Sequence, residues 1–478
     1  MSRWVFRGLV LFALAFTNLS EIWSPDVVPN ALLPYTLIIE RDVDYDEFTA
    51  EPRLPPPNVR RGGLMDLGLE LDRESYFFRA CGISTATEPP KAVRSIGGPP
   101  APGPGDRVCS VFPPGIGVLA LPFFAPFVVV EPVPEVATLV RVGHVAAAAI
   151  ETVATLLLWS VLLRFASARW ALGLILLYAL GTSVRTVASQ ALWQHAGVHL
   201  FLAWALWLVL RREPVSRARE LAAGVLLGLG TAVRQTTVLA AALAGRRPLP
   251  LLAGLAVGAL PLLAYNAVAF GAPLEQGYGA KPLGLPTPEG LYGLLLSPSR
   301  GLFVYEPWTL FALAALVLAW RRPDAVALRL RGALATVVAF VLLYASYAEW
   351  WAGRVFGPRF LDDLAPVLIA ALAWGIGEGL LRARWARAAF WAAAAWSLLL
   401  FNAAALAYSN ERWDMTPENV NFAPERLFDW ADPQWLAVLR DAATGGPRVV
   451  AAALLSAALV LLLLRAEGIL GRPIRSRA

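Results

Sequence analysis

The stretch VATLVRVGHVAAAAIETVATLLLWSVLLR, residues 136–164, sets the pattern of the whole chain. It is an apolar run long enough to cross a lipid bilayer as a helix, which takes about 20 residues, and it ends at Arg164. Similar apolar runs alternate with short arginine clusters along the rest of the sequence. The alternation predicts an all-α polytopic membrane protein, because a helix satisfies its own backbone hydrogen bonds in lipid.

The composition favours a lipid-embedded chain and argues against nucleic-acid binding. Of the 478 residues, 57% are hydrophobic and 16% are charged, against about 25% charged in soluble proteins. An arginine or aspartate at mid-bilayer costs at least ~2.5–3.5 kcal/mol, which explains the missing charge. The net charge of +6 comes from arginines clustered between apolar runs, as the positive-inside rule expects. We therefore exclude nucleic acid as a partner.

About ten runs are predicted to span the membrane as helices. Their arginine-rich ends fall on one side, which the positive-inside rule makes cytoplasmic, so both termini are expected in the cytoplasm. We expect a multi-pass protein of the inner, cytoplasmic membrane. The predicted spans are residues 4–20, 136–164, 170–187, 192–210, 249–270, 305–320, 333–348, 361–381, 386–408 and 447–464.

Residues 221–245 do not fit a single span, because arginine clusters flank both of their ends. A hairpin of two short helices, bending near Gly230 to Arg234, would return the chain to the same side. Broken helices of this kind are tolerated where they are buried in protein or line a cavity. The polar residues at the bend, Arg234 to Thr237, favour a cavity.

The domain organisation follows from this threading. A first span with its flank (1–20) precedes a long extracytoplasmic loop (21–135), predicted to hold interfacial helices and an acidic motif. The remaining parts are a transmembrane bundle (136–270) with the hairpin, an outer loop (271–304), a second bundle (305–408), a late outer loop (409–446), and a last span with a basic tail (447–478).

Carboxylates collect in the first outer loop. Asp26 follows the first span so closely that it must lie near the outer membrane surface. Residues Asn30 to Ile39 are predicted to form a short amphipathic helix along the membrane. The acidic run after it contains Asp42, Asp44, Asp46 and Glu47. A solvated acidic loop would explain that run as well, whereas Asp26 is held in place by the end of a span.

Three arginines break the positive-inside pattern. Arg300 lies in Ser297–Phe303, and Arg354 and Arg359 lie in the glycine- and aromatic-rich stretch Trp350–Phe360. An arginine fork binds phosphate through two hydrogen bonds, so three such residues at the outer surface indicate a phosphate site. Interfacial arginines that reach toward lipid headgroups are the alternative.

A further polar group lies at the predicted outer end of the fourth span. Gln194 and His195 follow Trp193 there, and stacking and hydrogen bonds from these residues would suit a sugar. Ordinary helix capping is the alternative. His144 and Glu151, inside the second span, are expected to be buried partners of other helices.

The two cysteines, Cys81 and Cys109, both lie in the first outer loop. A disulfide is plausible in an oxidising compartment, but spacing alone does not decide between a bridge and two thiols. A divalent metal also stays open, since oxygen ligands are present without a diagnostic spacing.

The sequence has no P-loop, no dinucleotide-binding glycine motif and no zinc-protease motif. The short cytoplasmic loops leave no room for a nucleotide-binding domain. If the protein is an enzyme, its activated substrate is therefore expected to be dissolved in the membrane.

Several segments resemble the bacterial GT-C class of membrane glycosyltransferases, which includes protein O-mannosyltransferases and lipid A aminoarabinose transferases. The resemblance covers most of the chain, as an uncharacterised branch of that class. It is carried by Asp26 with the helix after it, Asp44–Phe48, Ser110–Gly115 (similar to a "YPPG" stretch), Gly181-Thr182 with Ser189–His195, Phe270–Pro273 with Gly277-Tyr278, Ser297–Phe303 and Gly357–Phe360.

The resemblance implies a GT-C-like fold with a long first extracytoplasmic loop. It also implies a polyprenyl-phosphate sugar donor, inversion at the anomeric carbon, and a lipid, glycan or protein acceptor. Asp26 matches the position of the class's catalytic aspartate, with Asp46 or Glu47 as a second acid, and Asp44 and Tyr278 would help to bind substrate. Asp26 stands alone here instead of in the Asp-Glu pair of the mannosyltransferases, so the choice of base stays open.

A flippase for lipid-linked sugars, or another polytopic transporter, is the alternative function. Intramembrane charges such as Glu151, Arg185 and Arg234 would then line a path. Transporters often have two halves with matching broken helices, and the sequence shows one broken helix without a matching half.

Overall fold

The computed structural model describes residues 2–20, 25–48, 77–82, 106–130, 135–277 and 284–469. These residues are mostly helical. The α-helices in chain order are α1 (Arg3–Ala15), α2 (Val28–Tyr35), α3 (Gly115–Val130), α4 (Val136–Leu162), α5 (Ala168–Leu180), α6 (Gln194–Val209), α7 (Arg217–Val233), α8 (Pro248–Phe270), α9 (Pro288–Leu296), α10 (Leu302–Tyr305), α11 (Thr309–Leu318), α12 (Ala325–Ala345), α13 (Ala365–Gly377), α14 (Arg384–Ala407), α15 (Gln434–Ala443) and α16 (Pro447–Ala466).

Within the described ranges, 6 helical segments are long and apolar enough to cross a membrane. They are α4, α8, α12, α14, α16 and the segment Arg359–Gly377, which joins a 3-10 helix (Arg359–Leu364) to α13. Shorter apolar helices, α3, α5, α6 and α11, pack among them. The protein is thus an all-α, membrane-embedded protein, as the alternation of apolar runs and arginines predicted.

Helix starts lie where the sequence supplies caps beside the arginine clusters. Ser167 accepts a hydrogen bond from the backbone N–H of Trp170 at the start of α5. Asp324 accepts from two backbone N–H groups at the start of α12. Side-chain acceptors of this kind satisfy the N–H groups that a helix start leaves unpaired.

The first predicted span, 4–20, ends as α1 at Ala15, and two others are interrupted. The segment predicted at 170–187 stops as α5 at Leu180, and a π-helix, Val184–Ala188, follows. The segment predicted at 305–320 is broken at Glu306, between α10 and α11. Both breaks place polar residues inside the bundle. A hydropathy average over an apolar run does not reveal such breaks.

The chain reverses direction after α7. Arg234 adopts an extended backbone (φ −153°, ψ 122°), and a 3-10 helix, Gln235–Leu243, then runs back along α7. The two arms approach closely, because a Cβ at Gly230 would lie 2.7 Å from Cγ2 of Thr237. The bend therefore falls at the polar residues, and the two arms of the predicted hairpin are α7 and a 3-10 helix.

The segment after Asp26 is buried against α3. All eight residues of α2 are buried, and the chain continues as a π-helix, Thr36–Glu40. A Cβ at Gly117 of α3 would lie 2.8 Å from Leu33. The predicted helix is thus present, but it is buried all round where an amphipathic helix would expose one face.

The described parts of the first outer loop form a small unit around a two-stranded antiparallel sheet. Strands Phe78–Ala80 and Val108–Ser110 pair with Arg79 opposite Cys109. A disulfide joins Cys81 to Cys109, with their Cα atoms 5.2 Å apart. The guanidinium of Arg79 donates to the backbone carbonyls of Gln276 and Gly277, so the unit is tied to the following outer loop.

Helices α7 and α8 touch backbone to backbone. A Cβ at Gly254 would lie 2.0 Å from the carbonyl oxygen of Leu221, and one at Gly258 would lie 2.1 Å from that of Val225. Small residues allow this approach in membranes, where helix association depends on van der Waals packing.

Gly258→Ala should therefore destabilise the protein, by about 1–3 kcal/mol if the helices must separate to admit the methyl group. Gly143→Ala is the matched control, because a Cβ there would meet only Leu192 at 3.6 Å, an ordinary contact. The measurement is thermal unfolding of the purified protein in detergent. Equal unfolding midpoints for the two variants would contradict the close packing of α7 on α8.

Candidate functional site

An ion pair joins Asp26 to Arg359 across 333 residues of sequence. Asp26 lies in a 3-10 turn, Pro25–Val27, just before α2, and Arg359 begins the 3-10 helix before α13. Both side chains are partly buried, with 21% and 13% of their surface exposed. The Cζ atom of Arg359 lies 3.8 Å from the ring centroid of Trp193, so the guanidinium stacks on an indole face.

Apolar packing holds these two charges in place. Val27 and Trp193 form a buried cluster with Ala352 and Val355 from the loop before Arg359, and Phe360, which follows Arg359, packs against it. Ala352 has a left-handed backbone (φ 63°), unusual for a residue with a Cβ and typical of positions constrained by their surroundings.

A hydrogen bond locks the start of α2 to the Trp193 segment. The side-chain amide of Asn30 donates to the carbonyl oxygen of Leu192 at 2.9 Å and to that of Asp26 at 3.1 Å. The acid-bearing turn and the indole under Arg359 therefore cannot move independently.

Directly next to this pair lies a buried triad. Nδ1 of His195 lies 2.7 Å from Oδ1 of Asp363, and Nη1 of Arg234 lies 3.1 Å from Oδ2 of the same carboxylate. His195 is 1% exposed. The bend after α7 thus anchors the short helix that carries Arg359. This geometry revises the prediction that His195 contacts substrate, because its ring is enclosed between Asp363 and Arg234.

Gln194 follows Trp193 at the start of α6 and is half-buried. Its side-chain amide nitrogen is buried and has no hydrogen-bond partner among the described residues. The contact of Gln194 with a substrate therefore stays a prediction.

A second buried network lies deeper in the bundle. Glu151 accepts from Tyr178 at 2.7 Å and lies 2.9 Å from Nδ1 of His199. The other ring nitrogen of His199 lies 3.0 Å from the backbone oxygen of Asp362. The expectation that Glu151 is a partner of other helices fits this arrangement.

Sequence reasoning missed Asp362, Asp363, His199 and Glu306. A signal was present, because two adjacent aspartates inside an apolar run are costly in lipid and mark intramembrane sites. Reading residues 361–381 as one uniform span concealed it.

Arg300 has a different role from the one predicted. Each of its five N–H groups donates to an acceptor inside the protein. The acceptors are the carbonyl oxygens of Ser299, Trp351 and Gly353, Oε1 of Gln434 and Oδ1 of Asp414. Arg300 is 1% exposed. Its guanidinium joins three outer loops and has no donor left for a phosphate.

Arg354 lies at the edge of the site. It follows the left-handed Gly353 and precedes Val355 of the apolar cluster, and its Nη1 lies 3.1 Å from Oε1 of Glu411. This ion pair is largely exposed, so Arg354 can exchange Glu411 for another anion at little cost.

The acidic run is built into the sheet unit and is not gathered at the Asp26–Arg359 pair. Asp44 forms an ion pair with Arg107 and is 4% exposed. Oδ1 of Asp46 accepts from the backbone N–H of Val108 at 2.6 Å. These contacts revise the predicted roles of Asp44 in substrate binding and of Asp46 in catalysis toward holding the loop.

Glu47 differs from its neighbours. Burial raises the pKa of its carboxyl to about 8, and the nearby carboxylates Asp42 and Asp44 add to the rise. Glu47 is therefore protonated at neutral pH, which suits a proton donor and not a base.

Two further sequence predictions have a simple outcome. Tyr278 lies outside the described residues. In the part of the chain that the structure describes, no group of three or more His, Cys, Asp or Glu side chains is placed to hold a metal ion.

Replacing Arg300 should lower the stability of the folded protein, because its guanidinium serves only internal contacts. Arg300→Ala would leave the buried carboxylate of Asp414 uncompensated, a change that costs about 3–5 kcal/mol in buried pairs. Arg354→Ala is the control, because its partner Glu411 is exposed. Thermal unfolding in detergent measures both, and an unchanged midpoint for Arg300→Ala would refute the structural role.

The protonated state of Glu47 predicts a pH-dependent stability difference. Its raised pKa contributes stability that is full below the ordinary value of 4.5 and is lost as pH rises to about 8. The unfolding midpoint of Glu47→Gln relative to the parent should therefore rise between these values and then level off. A difference that stays constant with pH would exclude a buried, protonated Glu47.

Comparison with known proteins gives this chain no relative: no protein-family model matches it, and no curated protein matches it. Its function therefore has to be inferred from the geometry of the site.

Proposed function

We propose that the protein is an integral membrane glycosyltransferase that transfers a sugar from a polyprenyl-phosphate donor to an acceptor hydroxyl on a lipid, glycan or protein, with inversion. The observation that supports this most directly is the Asp26–Arg359 pair. A carboxylate and a guanidinium, far apart in sequence, meet in a partly buried position on an aromatic surface.

The proposed architecture is GT-C-like, with about ten spans of the length that a bilayer requires. The 6 long apolar segments and the shorter apolar helices supply these spans, and the α7 bend is a hairpin that returns to its starting side. Both termini are then cytoplasmic, and the first outer loop is extracytoplasmic with the Asp26–Arg359 pair at its base.

Arg359 is the proposed phosphate ligand. Its stacking on Trp193 orients the planar guanidinium, which suits two-point binding of a phosphate. Arg354 on the neighbouring loop supplies a second cation, and its exposed partner Glu411 is easily exchanged. Trp193 supports Arg359 in this arrangement by stacking under its guanidinium.

Asp26 is the proposed general base. In the resting site it pairs with Arg359, and an incoming phosphate competes for the same guanidinium. Once the phosphate is bound there, the carboxylate is free to take the proton of the acceptor hydroxyl. The hydroxyl oxygen then bonds to the anomeric carbon, the bond from that carbon to the phosphate oxygen breaks, and Arg359 stabilises the charge left on the lipid phosphate.

The decisive experiment is sugar transfer by the purified protein in vesicles supplied with labelled polyprenyl-phosphate sugars. Asp26→Asn should lower the rate by about 10²–10⁴, the usual contribution of a general base. Arg359→Ala should lower it as well, because the departing phosphate loses its cation.

Arg412→Ala and Asp441→Asn are the matched controls. They disrupt another Arg–Asp pair, with 2.9 Å between the charged groups, on an exposed part of the late loop. Both controls should transfer sugar as the parent does. Parental rates in Asp26→Asn and Arg359→Ala would refute the site. Passage of the labelled lipid across the vesicle membrane without bond formation would favour a flippase, with Glu151 and Arg234 lining its path.

A further inference from the structure

Four of the described carboxylates inside the helical bundle are almost fully buried and take no part in the Asp26–Arg359 ion pair. They are Glu151 of α4, Glu306 between α10 and α11, and the adjacent Asp362 and Asp363. Each is 3% exposed or less. A carboxylate buried in such surroundings needs a cation, hydrogen-bond donors or a proton of its own, because an isolated charge there is too costly.

One of the four has a permanent cation. Asp363 lies 3.1 Å from Nη1 of Arg234, and His195 contacts its other oxygen. The charge of Asp363 is therefore balanced by a group that does not lose its proton in proteins.

A second carboxylate, that of Glu151, shares a proton with His199. Its Nδ1 lies 2.9 Å from Glu151 and its Nε2 lies 3.0 Å from the backbone oxygen of Asp362, so both nitrogens face oxygen atoms. A neutral imidazole donates from one nitrogen only. Either His199 is an imidazolium or Glu151 is a carboxylic acid. In both cases the pair holds one proton more than a neutral histidine beside a carboxylate, and its net charge is zero.

Asp362 and Glu306 remain without such compensation. Neither side-chain oxygen of Asp362 has a hydrogen-bond partner among the described residues, and its nearest cationic group is Nε2 of His199 at 3.9 Å. Glu306 accepts a hydrogen bond from the backbone N–H of Ser183, at the break after α5, and is close enough to Asp362 for the two charges to interact. Two buried carboxylates that interact in this way repel each other unless one or both are neutral.

We propose that Asp362 and Glu306 form a proton-binding site inside the membrane bundle, beside the Glu151–His199 pair. A proton is the fitting ligand, because the described residues offer no group of three His, Cys, Asp or Glu side chains placed to hold a metal ion. The site is independent of the proposed sugar transfer and uses other residues. The titratable and charged groups packed around it are Glu151 from α4, Tyr178 from α5, His199 and His195 from α6, Arg234 from the bend after α7, and Asp363.

Infrared spectroscopy of the full-length protein in lipid nanodiscs tests the site without any substrate. Protonated carboxyl groups absorb apart from carboxylates and shift when H₂O is replaced by D₂O. All variants are made in a Glu47→Gln parent, so that the protonated carboxyl of Glu47 does not contribute to the carboxylic-acid absorption. This parent should show a carboxylic-acid band at pH 7, and adding Asp362→Asn or Glu306→Gln should each reduce that band.

Glu220→Gln is the matched control. Glu220 is also buried, at 6% exposure, but it forms an ion pair with Arg329, so its removal should leave the band unchanged. Absence of the band at pH 7, or a band that neither Asp362→Asn nor Glu306→Gln reduces, would overturn the proposal. The parent spectrum alone decides the first point if a variant does not fold. A band present in choline chloride and absent in sodium chloride would also overturn it, in favour of a metal-cation site.

Discussion

A charge buried in a membrane protein must be compensated on the spot, and this constraint shapes the structure more than any other. The cost of an uncompensated charge exceeds that of most packing defects. Arg185 donates to the carbonyl oxygen of Leu14 and the hydroxyl of Thr17, and most other buried arginines of the described residues come with a carboxylate partner. The pairs are Arg7–Glu467, Arg234–Asp363, Arg300–Asp414, Arg329–Glu220 and Arg359–Asp26.

The pairs differ in how completely they are enclosed. That difference distinguishes the pairs that only hold the structure together from the pair of the proposed site. Arg300 is saturated by five internal acceptors and hardly exposed, so nothing in it can respond to a ligand. Arg359 and Asp26 keep 13% and 21% of their surface exposed. A phosphate that reaches Arg359 replaces one anion by another, which costs far less than bringing an anion to a saturated guanidinium. In the proposed function the same residue type therefore serves two purposes, decided by its surroundings.

The sequence allowed the membrane-embedded helical class to be predicted, because apolar runs and arginine clusters are visible in it. It also singled out Asp26 and Arg359, since a carboxylate beside a span end and a cation on the side where arginine is scarce both stand out locally. What it could not reveal is which groups meet. The acceptors of Arg300 come from segments near residues 299, 352, 414 and 434, and no local pattern records that convergence. The interior position of Asp362 was not predicted for a related reason. The mean hydropathy of a long apolar run changes little when it contains two charged residues.

The 3-10 helix Arg359–Leu364 carries residues of both the Asp26–Arg359 ion pair and the buried networks. Arg359 at its start forms the ion pair with Asp26, whereas Asp362 and Asp363, about one turn further along, lie in the buried networks. Six residues of tight helix leave little freedom, so the position of Arg359 is set from within by Arg234 and His195 acting on Asp363. A change in the charge on Asp362 would act on the same rigid segment. The residues of the proposed transfer site and of the proposed proton site therefore belong to one mechanical unit, although no side chain contributes to both.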